Sequence, residues 1–291
     1  MDWFILASAS ALFTSCATLA EKKILFKIEA LSFSFYISIV GLFLSTPFFF
    51  GITVSSITVE TLIILYIKSI LGTLVFLFVM LTLKNFEISK ALPLLVITPG
   101  LTAIFAYLFL GDSLTAKETL GIILLMVGTY ILEISGKKKI LDSFLKIFKN
   151  RNYIYIFSAV ALFTASANLD RLLLTDYKLE PVSFMALQQM FYAFNFTLLF
   201  LLTRKKDEIK SMPGKEILMW IILISLLIIG YRYTLIEATK LAPVALVLSV
   251  RRISVFFSAL IGGKLFKEKD LVKRAVATII MVAGALFLLN Y

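Results

Sequence analysis

Apolar runs of about 20 residues recur along the chain, separated by short charged or turn-forming segments. A helix needs about 20 apolar residues to cross a bilayer, so each run is long enough to span a membrane. Hydrophobic residues make up 60% of the chain, against roughly 45–50% in an ordinary soluble domain. The sequence therefore predicts an all-α integral membrane protein with ten transmembrane helices, at residues 3–20, 31–50, 61–83, 91–110, 116–135, 153–174, 181–202, 216–237, 241–262 and 271–290.

The first and sixth runs share a sequence pattern. SASALFTSCATL, from Ser8, aligns with SAVALFTASANL, from Ser158, at an offset of 150 residues, and Gly128 aligns with Gly284 at an offset of 156. This indicates two copies of a five-helix unit, at residues 1–135 and 153–291, joined by a basic loop at 136–152. Because each copy has an odd number of spans, the second crosses the membrane in the opposite sense, as in inverted-repeat transporters.

The basic residues of the connections lie mainly on one side of the predicted membrane. Connections on the side of the two termini carry 4 lysine and arginine residues, whereas those on the opposite side carry 21. Cytoplasmic loops of membrane proteins carry an excess of these residues. We therefore expect a multi-pass protein of the plasma membrane with both termini outside the cell.

Residue types that most enzymes and metal sites use are scarce. The chain has no histidine and a single cysteine, Cys16, which lies within an apolar run. Without paired acids inside the spans, a membrane-embedded enzyme is disfavoured, and no metal or cofactor is expected. The lysines of the connections set topology, so nucleic acid is not an expected partner. The expected partners are a small-molecule substrate and membrane lipids, and the chain is expected to be a monomer or homodimer.

Two turns and two glycines carry a resemblance to a known family. Leu110-Gly111-Asp112 closes the fourth run, Phe266-Lys267-Glu268 stands at the corresponding turn, and Gly128 and Gly284 lie in the helices that follow. Together with the ten-span repeat, they resemble the EamA-type members of the drug/metabolite transporter superfamily. That resemblance implies that spans one to four and six to nine surround a central cavity, with five and ten outside them, and that transport proceeds by alternating access.

The chain departs from the pattern of this family at a few positions. Asp112 stands where glutamate is usual, and Val255 or the neighbouring arginine pair stands where a mid-helix proline like Pro99 is common. Many relatives have cytoplasmic termini, whereas the charge count here predicts the reverse. The family moves amino acids, nucleotide sugars, phosphorylated sugars and drugs, so the resemblance does not name a substrate.

Arg251 and Arg252 lie at the centre of the ninth apolar run. A charged side chain at that depth costs roughly 2.5–3.5 kcal/mol even on lenient insertion scales, so both should face protein or a water-filled cavity. Neighbouring residues lie about 100° apart around a helix, so the two side chains point in different directions. At least one arginine is predicted to bind the substrate, the alternative being a structural ion pair with Asp170 or Glu237.

Other polar residues lie at a similar depth, between the membrane interface on the side of the termini and the midplane. This clustering predicts one cavity open to that side. The charged ones also fit an interfacial anchor, and the uncharged ones fit hydrogen bonds between helices. The predicted substrate-binding residues are Arg251, Arg252, Arg232, Lys68, Gln188, Gln189, Asn168, Tyr231 and Thr14.

Positive charges outnumber acids in this region, where only Asp170 and Glu237 face the four basic side chains. The sequence therefore predicts a secondary, non-ATP transporter of an anionic or zwitterionic solute, such as an amino acid, organic acid or phosphorylated compound. Asp170 is the first candidate for a proton carrier, and Pro99 for a hinge or kink. A lipid-headgroup flippase or cationic drug exporter of the same fold, and a structural membrane protein, are the alternatives.

Overall fold

The computed structural model describes residues 3–95, 98, 101, 115–133, 151–203, 213–242, 244–268 and 270–287. These residues form helices joined by short turns, with no β-strand among them. The predicted kink at Pro99, the turn Leu110-Gly111-Asp112 and nearly all of the loop at 136–152 lie outside the described residues.

The helices follow the order of the predicted runs. The run at 31–50 is divided, because Pro47 cannot donate a backbone hydrogen bond and a new helix begins beside it at Thr46. The helices are α1 (Trp3–Leu25), α2 (Ala30–Leu44), α3 (Thr46–Phe49), α4 (Val59–Asn85), α5 (Ile88–Leu94), α6 (Ala116–Glu133), α7 (Arg151–Arg171), α8 (Pro181–Thr203), α9 (Lys215–Leu241), α10 (Val244–Leu265) and α11 (Leu271–Phe287).

Five helices in the described part of the chain are long and apolar enough to cross a membrane. These are α1, α4, α8, α9, and α7 together with the π-helical turn Leu172–Asp176 that extends it. Large apolar side chains point outward from them, including Leu12 on α1, Leu202 on α8 and Met219 on α9. A soluble protein rarely exposes so much apolar surface, whereas lipid solvates it. The prediction of a helical membrane protein is confirmed.

The first helix is longer than its apolar run, which ends at residue 20. α1 continues to Leu25 and buries both Glu21 and Lys22. The Lys22 ammonium donates hydrogen bonds to the carbonyl oxygens of Leu83 and Phe86, the latter at 2.6 Å. These carbonyls lie at the end of α4, where backbone oxygens lack helical partners. Burial against α4 therefore carries two charged residues into the helical bundle.

Helix packing brings helices of the first half of the chain against helices of the second half. α1 packs against α9, and α4 packs against α7. α2 packs against α8 and α9, and α4 also packs against α8. α6 and α11 lie side by side, with α11 also in contact with α10.

Gly128 and Gly284 allow the close approach of α6 and α11. A Cβ atom at Gly128 would lie 3.0 Å from the Ala277 carbonyl oxygen, and one at Gly284 would lie 2.8 Å from the Gly121 carbonyl oxygen. Backbone atoms cannot move aside as a side chain can. Gly128 therefore contacts Ala277, seven residues before Gly284, and Gly284 contacts Gly121, seven residues before Gly128. Neither glycine position has room for a side chain.

A carboxylate from the second half of the chain caps a helix of the first half. Glu268 accepts hydrogen bonds from the backbone N–H groups of Ile88, at 2.6 Å, and Ser89, at 3.0 Å, at the start of α5. Arg274 lies 3.5 Å from the same carboxylate and also pairs with Glu87. The helix N-terminus favours a negative charge, so these contacts fix α5 beside α10.

Candidate binding cavity

A cavity of about 170 Å³ lies among the helices. Its lining residues come from α1, α2, α4, α7, α8, α9, α10 and the region of α5, and in the described part of the chain none comes from α6 or α11. Serine and threonine hydroxyls alternate with apolar side chains on the wall. Among the described residues, four charged side chains also line it: Glu21, Asp170, Arg232 and Arg251.

Arg251 reaches the cavity from α10 and is held on two sides. Its Nε donates to the Thr14 hydroxyl at 3.4 Å, and its guanidinium lies 4.9 Å from the centre of the Tyr231 ring. The Nη1 atom is buried and has no hydrogen-bond partner among the described residues. A buried donor without a hydrogen-bond partner is costly, and this nitrogen can still donate one hydrogen bond.

Arg232, on α9, has two side-chain hydrogen-bond partners. Its guanidinium donates to the Gln188 side-chain oxygen at 2.8 Å and to the Tyr192 hydroxyl at 2.9 Å, both on α8. Tyr192 can stand there because residue 72, on α4, is glycine: a Cβ atom at Gly72 would overlap the tyrosine hydroxyl. These contacts fix the direction of the arginine along the cavity wall.

Asp170, on α7, lines the cavity and forms a 2.7 Å ion pair with Lys68 of α4. Lys68 is fully buried, with its ammonium 4.7 Å from the centre of the Phe184 ring. A buried charge without a partner would cost several kcal/mol, so Asp170 is the reason that a lysine can occupy this position. Lys68 is not itself among the cavity-lining residues.

The cavity lining runs along several helices. On α1 it extends from Thr14, near the middle, to Glu21, close to the end of the helix. On α5 it includes Leu92, in the last part of that helix, and on α7 it includes Asp170, next to the last residue. That the cavity opens to the side of the termini stays a prediction.

The predicted substrate-binding residues divide into three groups. Thr14, Gln189, Tyr231, Arg232 and Arg251 line the cavity, as does the proposed proton carrier Asp170. Lys68, Gln188 and Asn168 do not line it: Gln188 is buried against Arg232, and Asn168 donates to the Thr164 carbonyl oxygen within its own helix. The side chain of Arg252 and the residue Pro99 lie outside the described part of the chain.

Glu21 and Tyr192 are the main cavity residues that the sequence analysis missed. Glu21 follows the end of the first apolar run, yet it continues the stripe of Thr14 and Thr18 at helical spacing. That periodicity was the available signal. With Glu21 counted, the described lining side chains show no excess of basic residues, because Arg232 and Arg251 face two acidic residues, Glu21 and Asp170. Glu237 instead contacts Tyr233 and is not a lining residue.

The long apolar helices and the bundle that they form are typical of a multi-pass membrane protein. Residues 1–134 match the EamA-like transporter family, which is part of the drug/metabolite transporter superfamily. Of 27 similar chains among solved structures, one described only as "Crystal structure of protein" superposes with a TM-score of 0.62 over 96% of this chain and 97% of its own, at 14% identity. No curated protein matches the chain.

Proposed function

We propose that the chain is a secondary transporter that moves a small anionic or zwitterionic solute across the membrane by alternating access, with Arg251 as the anchor for the anionic group. The observation that carries this proposal is that Arg251 lines the cavity and that its buried Nη1 atom has no hydrogen-bond partner among the described residues. Arginine binds carboxylates and phosphates through paired N–H donors, so an anion would satisfy it.

The size of the cavity favours a small metabolite over a drug. Sites for drug-sized ligands measure roughly 300–1,000 Å³, and this cavity measures about 170 Å³. A cationic drug exporter of the same fold is therefore the weaker proposal.

Ten spans in two inverted repeats of residues 1–135 and 153–291 are part of the proposal. In such a repeat, α1 corresponds to α7, α2 to α8, and α4 to α9. The pair α1 and α9 then corresponds to the pair α7 and α4, and both pairs are in contact. Gly128 with Ala277 and Gly284 with Gly121 are likewise related by one offset of 156 residues. A two-fold relation between the halves would produce both patterns, and such a relation underlies the rocking motion of many transporters.

Asp170 is the proposed proton carrier, because it lines the cavity and would release Lys68 on protonation. A transporter of this kind would use the released lysine to couple proton binding to movement of α4 against α7. If Asp170→Asn retains the full pH dependence of transport, Asp170 does not carry the proton.

The test of the anion anchor is ligand-induced thermal stabilisation of the detergent-purified protein. The panel comprises amino acids, organic acids, phosphorylated sugars, nucleotides and cationic drugs. A ligand that binds the folded state stabilises it by RT ln(1 + [L]/Kd). We expect a shift from one anionic class that Arg251→Ala abolishes and Arg171→Ala, which removes an exposed arginine at the end of α7, preserves. Equal shifts in both variants would reject Arg251 as the anchor.

A further inference from the structure

We propose that Glu21 binds an ammonium group of the same solute whose anionic group Arg251 holds, which makes the substrate a small zwitterion. This inference rests on the proposed function, because it concerns the same cavity. It adds a residue, a ligand charge and a substrate class that a lone arginine anchor does not specify.

Glu21 and Arg251 are opposite charges on one cavity wall that do not touch each other. Both residues line the cavity. No ion pair within 4.0 Å joins them, although the structure describes both side chains. Opposite charges in a region of low dielectric attract strongly, so a solute that carries both charges would satisfy them together.

The spacing along α1 leaves room for such a solute. Thr14, the hydroxyl partner of Arg251, lies seven residues before Glu21, which is about 10 Å along the helix axis. Charge-assisted hydrogen bonds of roughly 2.7–2.9 Å at each end would leave several ångströms for the solute itself. Ser34, Ser38 and Ser225 also line the cavity and offer hydroxyl oxygens for further hydrogen bonds.

The other charged groups at the cavity have partners of their own. Asp170 is paired with Lys68, and Arg232 donates to Gln188 and Tyr192. Lys22, next to Glu21 in the sequence, turns away and donates to backbone carbonyls at the end of α4. Glu21 is only 4% exposed. A carboxylate so buried is costly unless a cation offsets it, and a ligand ammonium would do so.

The experiment compares matched sets of ligands that differ only in their charged groups. Each set contains a zwitterion, its acid without the amine and its amine without the acid: β-alanine with propionate and propylamine, γ-aminobutyrate with butyrate and butylamine, and O-phosphoethanolamine with ethyl phosphate and ethanolamine. Affinities are measured by thermal stabilisation of the full chain in detergent, for wild type, Glu21→Gln, Arg251→Ala and Arg171→Ala.

We expect at least one zwitterion to bind wild type more tightly than its matched acid. Glu21→Gln should weaken the binding of that zwitterion about tenfold or more, because one charge-assisted hydrogen bond is lost. The binding of the matched acid should be unchanged or tighter. Equal binding of zwitterion and acid to wild type, or an equal loss for both in Glu21→Gln, would overturn the role of Glu21 while the anion anchor stands. If Arg251→Ala binds every acid as wild type does, the proposed function fails instead. If no ligand of any set binds to wild type, both the role of Glu21 and the anion anchor at Arg251 are overturned.

Glu21→Asp serves as a second variant in case the glutamine protein does not fold. Aspartate keeps the carboxylate, but its side chain is one methylene group shorter. The ratio of the affinity for γ-aminobutyrate, the longer ligand, to the affinity for β-alanine should therefore be higher in Glu21→Asp than in wild type. An unchanged preference between the two lengths would contradict direct contact between residue 21 and the ligand.

Discussion

Lys68 on α4 and Asp170 on α7 form a 2.7 Å ion pair in which the lysine is fully buried. The pair joins the two halves of the chain. The lysine is closed off from solvent, and its ammonium also lies close to the Phe184 ring. The pair therefore stabilises the packing of α4 against α7.

Breaking this pair from either side should destabilise the protein by about 3–5 kcal/mol, because the remaining charge stays buried alone. Lys68→Met and Asp170→Asn should each show this loss in unfolding titrations of the detergent-purified protein. The double variant should lose less than the sum of the two. Lys27→Met is the matched control: its pair with Glu216 is exposed, so about 1 kcal/mol or less is expected. Additive losses in the double variant would show that the two residues act independently.

Gly72→Ala should disturb the cavity wall through Tyr192. The new methyl group would overlap the tyrosine hydroxyl, which must move away from Arg232. We expect a loss of stability of about 1–3 kcal/mol, typical of overpacking, together with weaker ligand binding. Gly214→Ala is the control, since its added Cβ meets no atom within 4 Å. Wild-type binding in Gly72→Ala would mean that the position of Tyr192 does not matter to the site.

Gly284→Ala should reduce stability without changing the binding site. A Cβ atom there would lie 2.8 Å from a carbonyl oxygen and 2.9 Å from a backbone nitrogen of α6, so α6 and α11 must separate. We expect a loss of about 1–3 kcal/mol in unfolding titrations. The dissociation constant of any ligand found in the thermal panel should stay the same, because neither helix lines the cavity in the described part of the chain. A changed dissociation constant would show that these helices act on the site.

The proposed orientation can be tested with single cysteines. Asp176 and Lys264 are exposed and lie on opposite sides of the membrane in the proposed topology. In a Cys16→Ala background, a membrane-impermeant maleimide applied to intact cells should label Asp176→Cys. Lys264→Cys should react only after permeabilisation. The reverse labelling would place both termini in the cytoplasm and show that the charge asymmetry misleads here.

The sequence by itself determined the class of protein and most of the helices. Hydropathy identifies a span because the cost of burying polar groups in lipid applies to every segment separately. Internal similarity between Ser8 and Ser158, and between Gly128 and Gly284, predicted the repeat that we propose. Depth within the spans was enough to select Arg251, Arg232 and Asp170 for the cavity wall.

Only the tertiary structure decided which of the polar groups meet. Lys68 was predicted to bind substrate, yet it is buried against Asp170, because the rotation and neighbours of α4 aim it at α7. Glu21 lies beyond the apolar run, but packing of α1 against its neighbours extends the helix and brings the carboxylate to the cavity. Hydropathy measures how each segment interacts with lipid. It carries no information on helix rotation or tilt, and these decide whether a charge faces a partner, a cavity or the interface.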